Sequence, residues 1–144
     1  MPTSKPEITE TDLHEYIASH AARLTPHALH QIVAALPEIR AEFPKIGAAG
    51  FAKAERQLRL LAGVVESFAA DRMRDLPYRV ALEAAVGLSY FHRDVDLIPD
   101  VLGAQGYMDD AAIIETIVAR NPDALADFAQ THALDWSEVK PHAR

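Results

Sequence analysis

The sequence predicts an all-α fold: a single compact bundle of five to six helices, with an acidic loop buried between helices four and five. Apolar residues recur at helical spacing through most of the chain. Capping residues stand directly before prolines at Thr25–Pro26 and Asn121–Pro122, which is typical of helix starts. We find no stretch in which apolar and polar residues alternate as they do in a half-buried strand.

Composition sets the broad class. The chain has 144 residues, of which 49% are hydrophobic and 24% charged, as in an ordinary globular domain. We expect a flexible N-terminal tail over residues 1–8 and a single helical domain over residues 9–144. The absence of cysteine excludes disulfides and thiolate metal sites. A net charge of −7 argues against nucleic-acid binding.

The predicted location is cytoplasmic. We see no apolar signal region at the N-terminus. The longest apolar run, residues 80–91, is interrupted by Glu83 and is shorter than the ~20 residues that a transmembrane helix needs.

The first two helices are predicted from their caps. Thr9 or Thr11 caps a first helix that carries Leu13 and Ile17 at near-helical spacing. Thr25 is the N-cap of the second helix, with Pro26 at its first position. Pro37 is expected to end or kink that helix. A short turn before Pro44 and a linker or loose helix start over residues 45–50 complete this part.

The third helix has the most regular apolar pattern. Its seam steps alternately by three and four residues through Phe51, Ala54, Leu58, Leu61, Val65, Phe68 and Arg72. Such a seam is typical of a helix that packs along its whole length. Because the seam can also pack against a second copy, a homodimer is one predicted assembly.

The later helices follow the same logic. Pro77 opens a fourth helix that is apolar on nearly every side, so we expect it to be central. Arg79 and Glu83 are four residues apart and are predicted to pair. Asp109 is the predicted cap of helix five. The Asn121–Pro122 pair starts a last helix that runs to about Ala133, and Trp136 packs as a lid.

The loop before helix five collects carboxylates beside very apolar residues. Five aspartates lie within seventeen residues: Asp94, Asp96, Asp100, Asp109 and Asp110. In the preferred interpretation they accept hydrogen bonds from backbone N–H groups of a connector that folds back at Pro99. In the alternative, the same five aspartates bind Mg²⁺ or another divalent cation. Acid–base catalysis by a carboxylate pair is a third interpretation, and no nucleophile or partnered base accompanies the pair.

The histidines are weaker candidates for a metal site than the aspartates. His27 and His30 are three apart on one helix, as two metal ligands can be, but we expect them to be exposed surface residues. His92 adjoins the acidic loop, whose carboxylates would favour its protonated form.

The segment "YFHRDVDLIPDVLGAQGYMDDA" resembles the YkvA-like domain of unknown function, a small bacterial and archaeal helical module. The resemblance covers about residues 80–118 and rests on Asp96, Leu97, Ile98, Pro99, Asp100, Gly106, Tyr107, Asp109 and Asp110. Met108 stands where the family more often has leucine. The resemblance implies a helical fold with this loop between two packed helices, and it implies no reaction.

These observations favour a non-enzymatic binding or regulatory module without catalytic residues or a cofactor. Between Asp94 and Glu138 there are ten acidic residues and a single arginine, a net charge of −9. This half and the acidic loop would be the contact surface for a protein partner, for which a basic partner is the natural match. The alternatives are a divalent-metal-dependent hydrolase that uses the aspartates, and a peripheral membrane protein that attaches through Ile98 and Val101.

Overall fold

The computed structural model describes residues 9–70, 76–92 and 107–142, and in these ranges the chain is all-α as predicted. The helices are α1 (Glu10–Arg23), α2 (Pro26–Ala34), α3 (Leu36–Ala48), α4 (Ala52–Ala69), α5 (Tyr78–His92), α6 (Met108–Arg120), α7 (Pro122–Thr131) and a 3₁₀ turn at Trp136–Glu138. The described ranges therefore contain seven α-helices rather than five or six. The predicted tail over residues 1–8 lies outside them.

The first two helix starts are as predicted. Thr9 accepts a hydrogen bond from the backbone of Asp12, whose side chain accepts one from the Thr9 backbone, which forms a capping box. Thr25 accepts from the backbone of Ala28, with Pro26 in the first turn. Both caps satisfy N–H groups that would otherwise lack a helical acceptor.

The extra helix is α3, which passes through Pro44, so the predicted break there is wrong. A proline inside a helix costs about 3 kcal/mol because it removes one backbone hydrogen bond and crowds the preceding turn. Here Ile39, Phe43 and Ile46 are all fully buried on one face of the helix, and their burial offsets that cost. The helix instead ends before Gly50, whose φ of +105° suits glycine.

Helices α4 and α5 form the centre. The middle of the predicted seam on α4, namely Leu58, Leu61 and Val65, is at most 1% exposed within the single chain. Every residue of α5 from Val80 to His92 is buried except Leu82, which confirms its central place. A Cβ built on Gly87 would lie 2.8 Å from Cδ1 of Ile117, so α5 and α6 approach closely there.

One cluster of buried apolar side chains draws on all seven helices. Trp136 is half-buried against this cluster, as the predicted lid. No helix in the described part of the chain is long and apolar enough to cross a membrane.

Candidate functional site

Most of the predicted motif lies outside the described residues. This holds for Asp94, Asp96, Pro99, Asp100 and Gly106, so their interpretation as a structural loop or as metal ligands stays a prediction. The described motif residues are Tyr107, Asp109 and Asp110 at the start of α6. Together with His92 at the end of α5, they define the two ends of the acidic segment.

The first end is held by a buried histidine. His92 is 8% exposed, and its Nδ1 lies 2.7 Å from Oε1 of Glu42 on α3. The sequence predicts the loop carboxylates as the charged groups around His92, whereas Glu42 lies beside it in the structure. Glu42 lies fifty residues earlier, and only the packing of α3 against α5 brings it close.

The second end is held by aromatic packing. The Tyr107 ring lies 6.2 Å from that of Phe91, between centroids, and Phe91 lies 5.7 Å from Phe43. The guanidinium of Arg59 stands 5.6 Å from the Phe43 ring, within cation–π distance. Phe91 before the segment and Tyr107 after it are thus packed against each other.

Asp109 is not the N-cap of α6, which corrects the prediction. The helix begins at Met108 with Tyr107 as its N-cap, so Asp109 and Asp110 lie inside the first turn. Carboxylates are stabilised there by the positive end of the helix dipole. Asp110 is only 2% exposed and Asp109 is half-buried. The structural role predicted for both side chains stays a prediction.

A second buried polar site joins α5 to α6. Glu83 is 1% exposed, and it accepts hydrogen bonds from Nε and Nη2 of Arg120, both at 2.9 Å, and from Nδ2 of Asn121 at 2.9 Å. The predicted Arg79–Glu83 pair is replaced by this arrangement, in which Arg79 donates to Oδ1 of Asn121 at 3.1 Å. Nη1 of Arg120 also reaches Nδ1 of His14 on α1, at 3.0 Å.

The electrostatics of this site keep Glu83 charged. Burial alone would raise the pKa of the Glu83 carboxyl, but the hydrogen bonds from Arg120 and Asn121 and the charges of Arg120 and Arg79 lower that pKa below its ordinary value. The hydrogen bonds to Glu83 raise the pKa of Arg120 in turn. A fully paired and charged group of this kind holds two helices in register, and its saturated carboxylate does not suit acid–base chemistry.

A third polar cluster surrounds Glu115 on α6. Its carboxylate accepts from Nε2 of Gln57 at 2.8 Å and from the backbone N–H of His142 at 2.6 Å, and Nζ of Lys53 lies 3.6 Å away. Burial raises the pKa of Glu115, but these hydrogen bonds and the positive charges of Lys53 and His142 lower it overall. Arg56 likewise faces Glu138 at 3.9 Å. Basic residues of α4 and acidic residues of the C-terminal half therefore attract each other within one chain.

Metal ligation finds no support in the described ranges. They contain no group of three or more His, Asp or Glu side chains arranged to hold a metal ion. His27 and His30 are both exposed, as expected. The cation hypothesis therefore depends on Asp94, Asp96 and Asp100, which lie outside the described residues.

Sequence reasoning missed Glu42, Gln57, Glu115 and the role of Arg120. Two signals pointed toward the Glu83 site: a single carboxylate in an otherwise apolar helix needs a partner, and Arg120 is the one basic residue between Asp94 and Glu138. We see no comparable signal for Glu42.

The comparison with known families bears on the segment between these sites. Residues 80–115 match the family model of a protein of unknown function, DUF1232. The DUF1232 match covers about a quarter of the chain and contains every motif residue from Asp94 to Asp110. It confirms that this segment resembles a domain of unknown function, and it carries no activity. No curated protein and no solved structure matches the chain.

Proposed function

We propose that this chain is a non-enzymatic binding module whose contact surface is the acidic segment between α5 and α6 together with the start of α6. The proposal rests on a difference in burial: residues at the two ends of the segment are buried, and Met108 beside them is exposed. His92 and Asp110 are buried, whereas Met108, between Tyr107 and Asp109, is 65% exposed. An exposed methionine beside buried polar residues suits recognition of another protein.

Charge supports a basic partner. Within the fold, Glu83 is paired with Arg120 and Glu115 with Lys53. In contrast, Asp123 and Asp127 on α7 are exposed, as is Asp135, which caps the turn at Ser137. A partner that presents lysine or arginine would complement these exposed carboxylates.

The test is an NMR titration of the full chain with a basic amphipathic peptide of alternating Lys and Leu character. We expect amide shifts centred on residues 107–112, and Met108→Ser should weaken binding at least fivefold. Tyr78 and Leu134 are also exposed large hydrophobic residues, at 45% and 46%. Tyr78→Ser is the matched control, because Tyr78 starts α5 whereas the acidic segment follows the end of that helix. If the two variants weaken binding equally, the peptide binds without specificity and the proposed surface is wrong.

Metal dependence is tested separately, since it belongs to the competing hydrolase hypothesis. The melting temperature is measured with EDTA and with Mg²⁺, Mn²⁺ or Ca²⁺. A site that binds only the folded state stabilises by about 2.7 kcal/mol at a hundredfold excess over Kd. Our proposal expects no cation-selective shift, whereas a shift abolished by Asp96→Asn and Asp100→Asn would favour the metal site.

A further inference from the structure

The C-terminal strap, which we define as residues 136–142, lines one of two adjoining grooves and reaches the other through His142. It is held in place by buried contacts: Gln57, 1% exposed, donates through Nε2 to the carbonyl of Val139 at 2.9 Å. The N–H of His142 donates to Glu115, and Val139 itself is buried. The strap therefore has a defined position against α4 and α6.

The first groove is mainly apolar. It has a volume of about 410 Å³ and lies between the start of α4 and the first half of α6. Its apolar lining comes from Phe51, Ala52, Ala54, Ala111 and Ala112. Because the alanines leave room, the groove can accept a short alkyl or aryl group.

The second groove is mainly charged. It has a volume of about 340 Å³ and is lined by Lys53, Arg56, Lys140, His142 and Glu138, among others. Lys53 and His142 line both grooves, so the two adjoin. Three cations in one groove are a local exception in a chain whose net charge is −7.

The acidic neighbours offset two of these three cations. Nζ of Lys53 lies 3.6 Å from Glu115, and Nε of Arg56 lies 3.9 Å from Glu138. Both are ion-pair distances, although longer than the roughly 2.7–2.9 Å of a charge-assisted hydrogen bond. The third cation, Lys140, leaves the groove with an excess of positive charge. Lys140 is exposed in the same groove.

We propose that the two grooves together bind a small amphiphilic anion: a carboxylate or phosphate monoester that carries a short apolar body. The anionic group lies against Lys53, Arg56 and Lys140, and the apolar body lies against Phe51 and the alanines. The start of α4 adds positive potential at the junction, since its N-cap Phe51 has no side-chain acceptor. This site adjoins the surface proposed above at Ala111 and Ala112 of α6, and it does not depend on that proposal.

The experiment is a titration of ¹⁵N-labelled full chain with hexanoate, hexyl phosphate, inorganic phosphate and hexanol. We expect hexanoate or hexyl phosphate to shift the amides of residues 50–54, 111–115 and 140–142. Hexanol and inorganic phosphate should each bind at least tenfold more weakly, because each satisfies only one groove. If hexanol binds as tightly as hexanoate, or if neither amphiphile shifts these amides, the proposal is overturned.

Variants locate the anionic group. Lys140→Gln should weaken binding of the tighter amphiphile at least fivefold, and Lys45→Gln, a matched change at an exposed lysine of α3 outside both grooves, should leave it unchanged. Equal effects of the two variants would show that only overall charge matters and would overturn the site. Ala112→Leu fills the apolar groove and should weaken hexanoate while leaving inorganic phosphate unaffected. Unchanged hexanoate binding in that variant would contradict the apolar half of the site.

Discussion

Arg120 holds Glu83 with two parallel hydrogen bonds of 2.9 Å, and this fork joins α6 to the central helix α5. Glu83 is 1% exposed, so its charge depends on the arginine and on Asn121. The pair lies at the end of α6 opposite to the acidic segment. It therefore fixes α6, and with it the position at which Met108 and Asp110 stand.

Removal of one partner should be costly. Arg120→Ala leaves the Glu83 carboxylate buried with fewer partners, and we expect a loss of about 3 kcal/mol in the free energy of unfolding, measured with urea. Arg79→Ala removes a single hydrogen bond to Asn121 and should cost about 1 kcal/mol. Equal losses in the two variants would contradict the central place of the Arg120–Glu83 pair.

The double variant Glu83→Leu with Arg120→Met gives a sharper test. A buried ion pair often stabilises no more than an apolar replacement of similar volume. We expect the double variant to recover most of the stability that Arg120→Ala loses. A double variant as unstable as Arg120→Ala would show that the polar network itself is needed for folding.

Stability should fall in acid because two carboxyls within the fold, those of Glu83 and Glu115, have lowered pKa values. Glu83 and Glu115 both have folded-state pKa values below the ordinary one, so each stabilises the fold fully above the unfolded pKa of about 4.3. This contribution is lost as pH falls below about 4.3 and through each folded pKa. Urea unfolding from pH 6 to pH 2.5 measures the loss.

Glu115→Gln isolates one of the two carboxyls. Its free energy of unfolding should depend less steeply on pH below about 4.3 than that of the unchanged chain. Glu15→Gln, at an exposed position of α1, should leave the slope unchanged. Identical slopes for Glu115→Gln and the unchanged chain would show that Glu115 does not stabilise the fold through its charge.

Two residues with positive φ should respond to substitution in opposite directions. Gly50 has φ of +105°, and a Cβ there would meet no atom within 4 Å, so Gly50→Ala tests backbone strain alone. We expect a loss of roughly 1–2 kcal/mol. Ala133 has φ of +58° after α7, and Ala133→Gly should stabilise by up to about 1 kcal/mol. Thermal unfolding measures both, and a stabilising Gly50→Ala would contradict the argument.

Removal of an acidic side chain from the first turn of a helix should cost more stability at a buried position than at an exposed one. Asp110 is 2% exposed, and a carboxylate so buried is held by hydrogen bonds, so Asp110→Ala should cost about 1–3 kcal/mol. Asp123 occupies the first turn of α7 but is exposed, and Asp123→Ala should cost at most about 0.5 kcal/mol. Urea unfolding compares the two, and an equal small cost would argue that Asp110 serves a ligand rather than the fold.

Whether the chain forms a homodimer stays a prediction. The middle of the α4 seam is buried within the single chain, so a second copy would have to pack elsewhere. Light scattering after size-exclusion chromatography measures the mass, and a value near the 15.8 kDa of one chain at high concentration would exclude a dimer.

The sequence by itself determined the fold class, most helix starts and the central place of α5. These follow from local chemistry: Thr9 and Thr25 cap their own helices, and the apolar period of residues 51–68 and 80–91 reads directly as burial. Helix α3 was not predicted because a proline such as Pro44 ordinarily ends a helix. Its cost was outweighed by the burial of Phe43 and Ile46, which depends on neighbours far away in the chain.

Only the tertiary structure decided which charged groups meet. Glu83 pairs with Arg120 instead of Arg79, and His92 lies beside Glu42. Glu115 accepts hydrogen bonds from Gln57 and from His142 in the strap. The physical reason is that hydrogen bonds act over about 3 Å, whereas these partners lie 37, 50 and 58 residues apart in sequence. Spacing along one helix predicts side-chain pairs three or four residues apart. Pairs between different helices depend on how the helices pack.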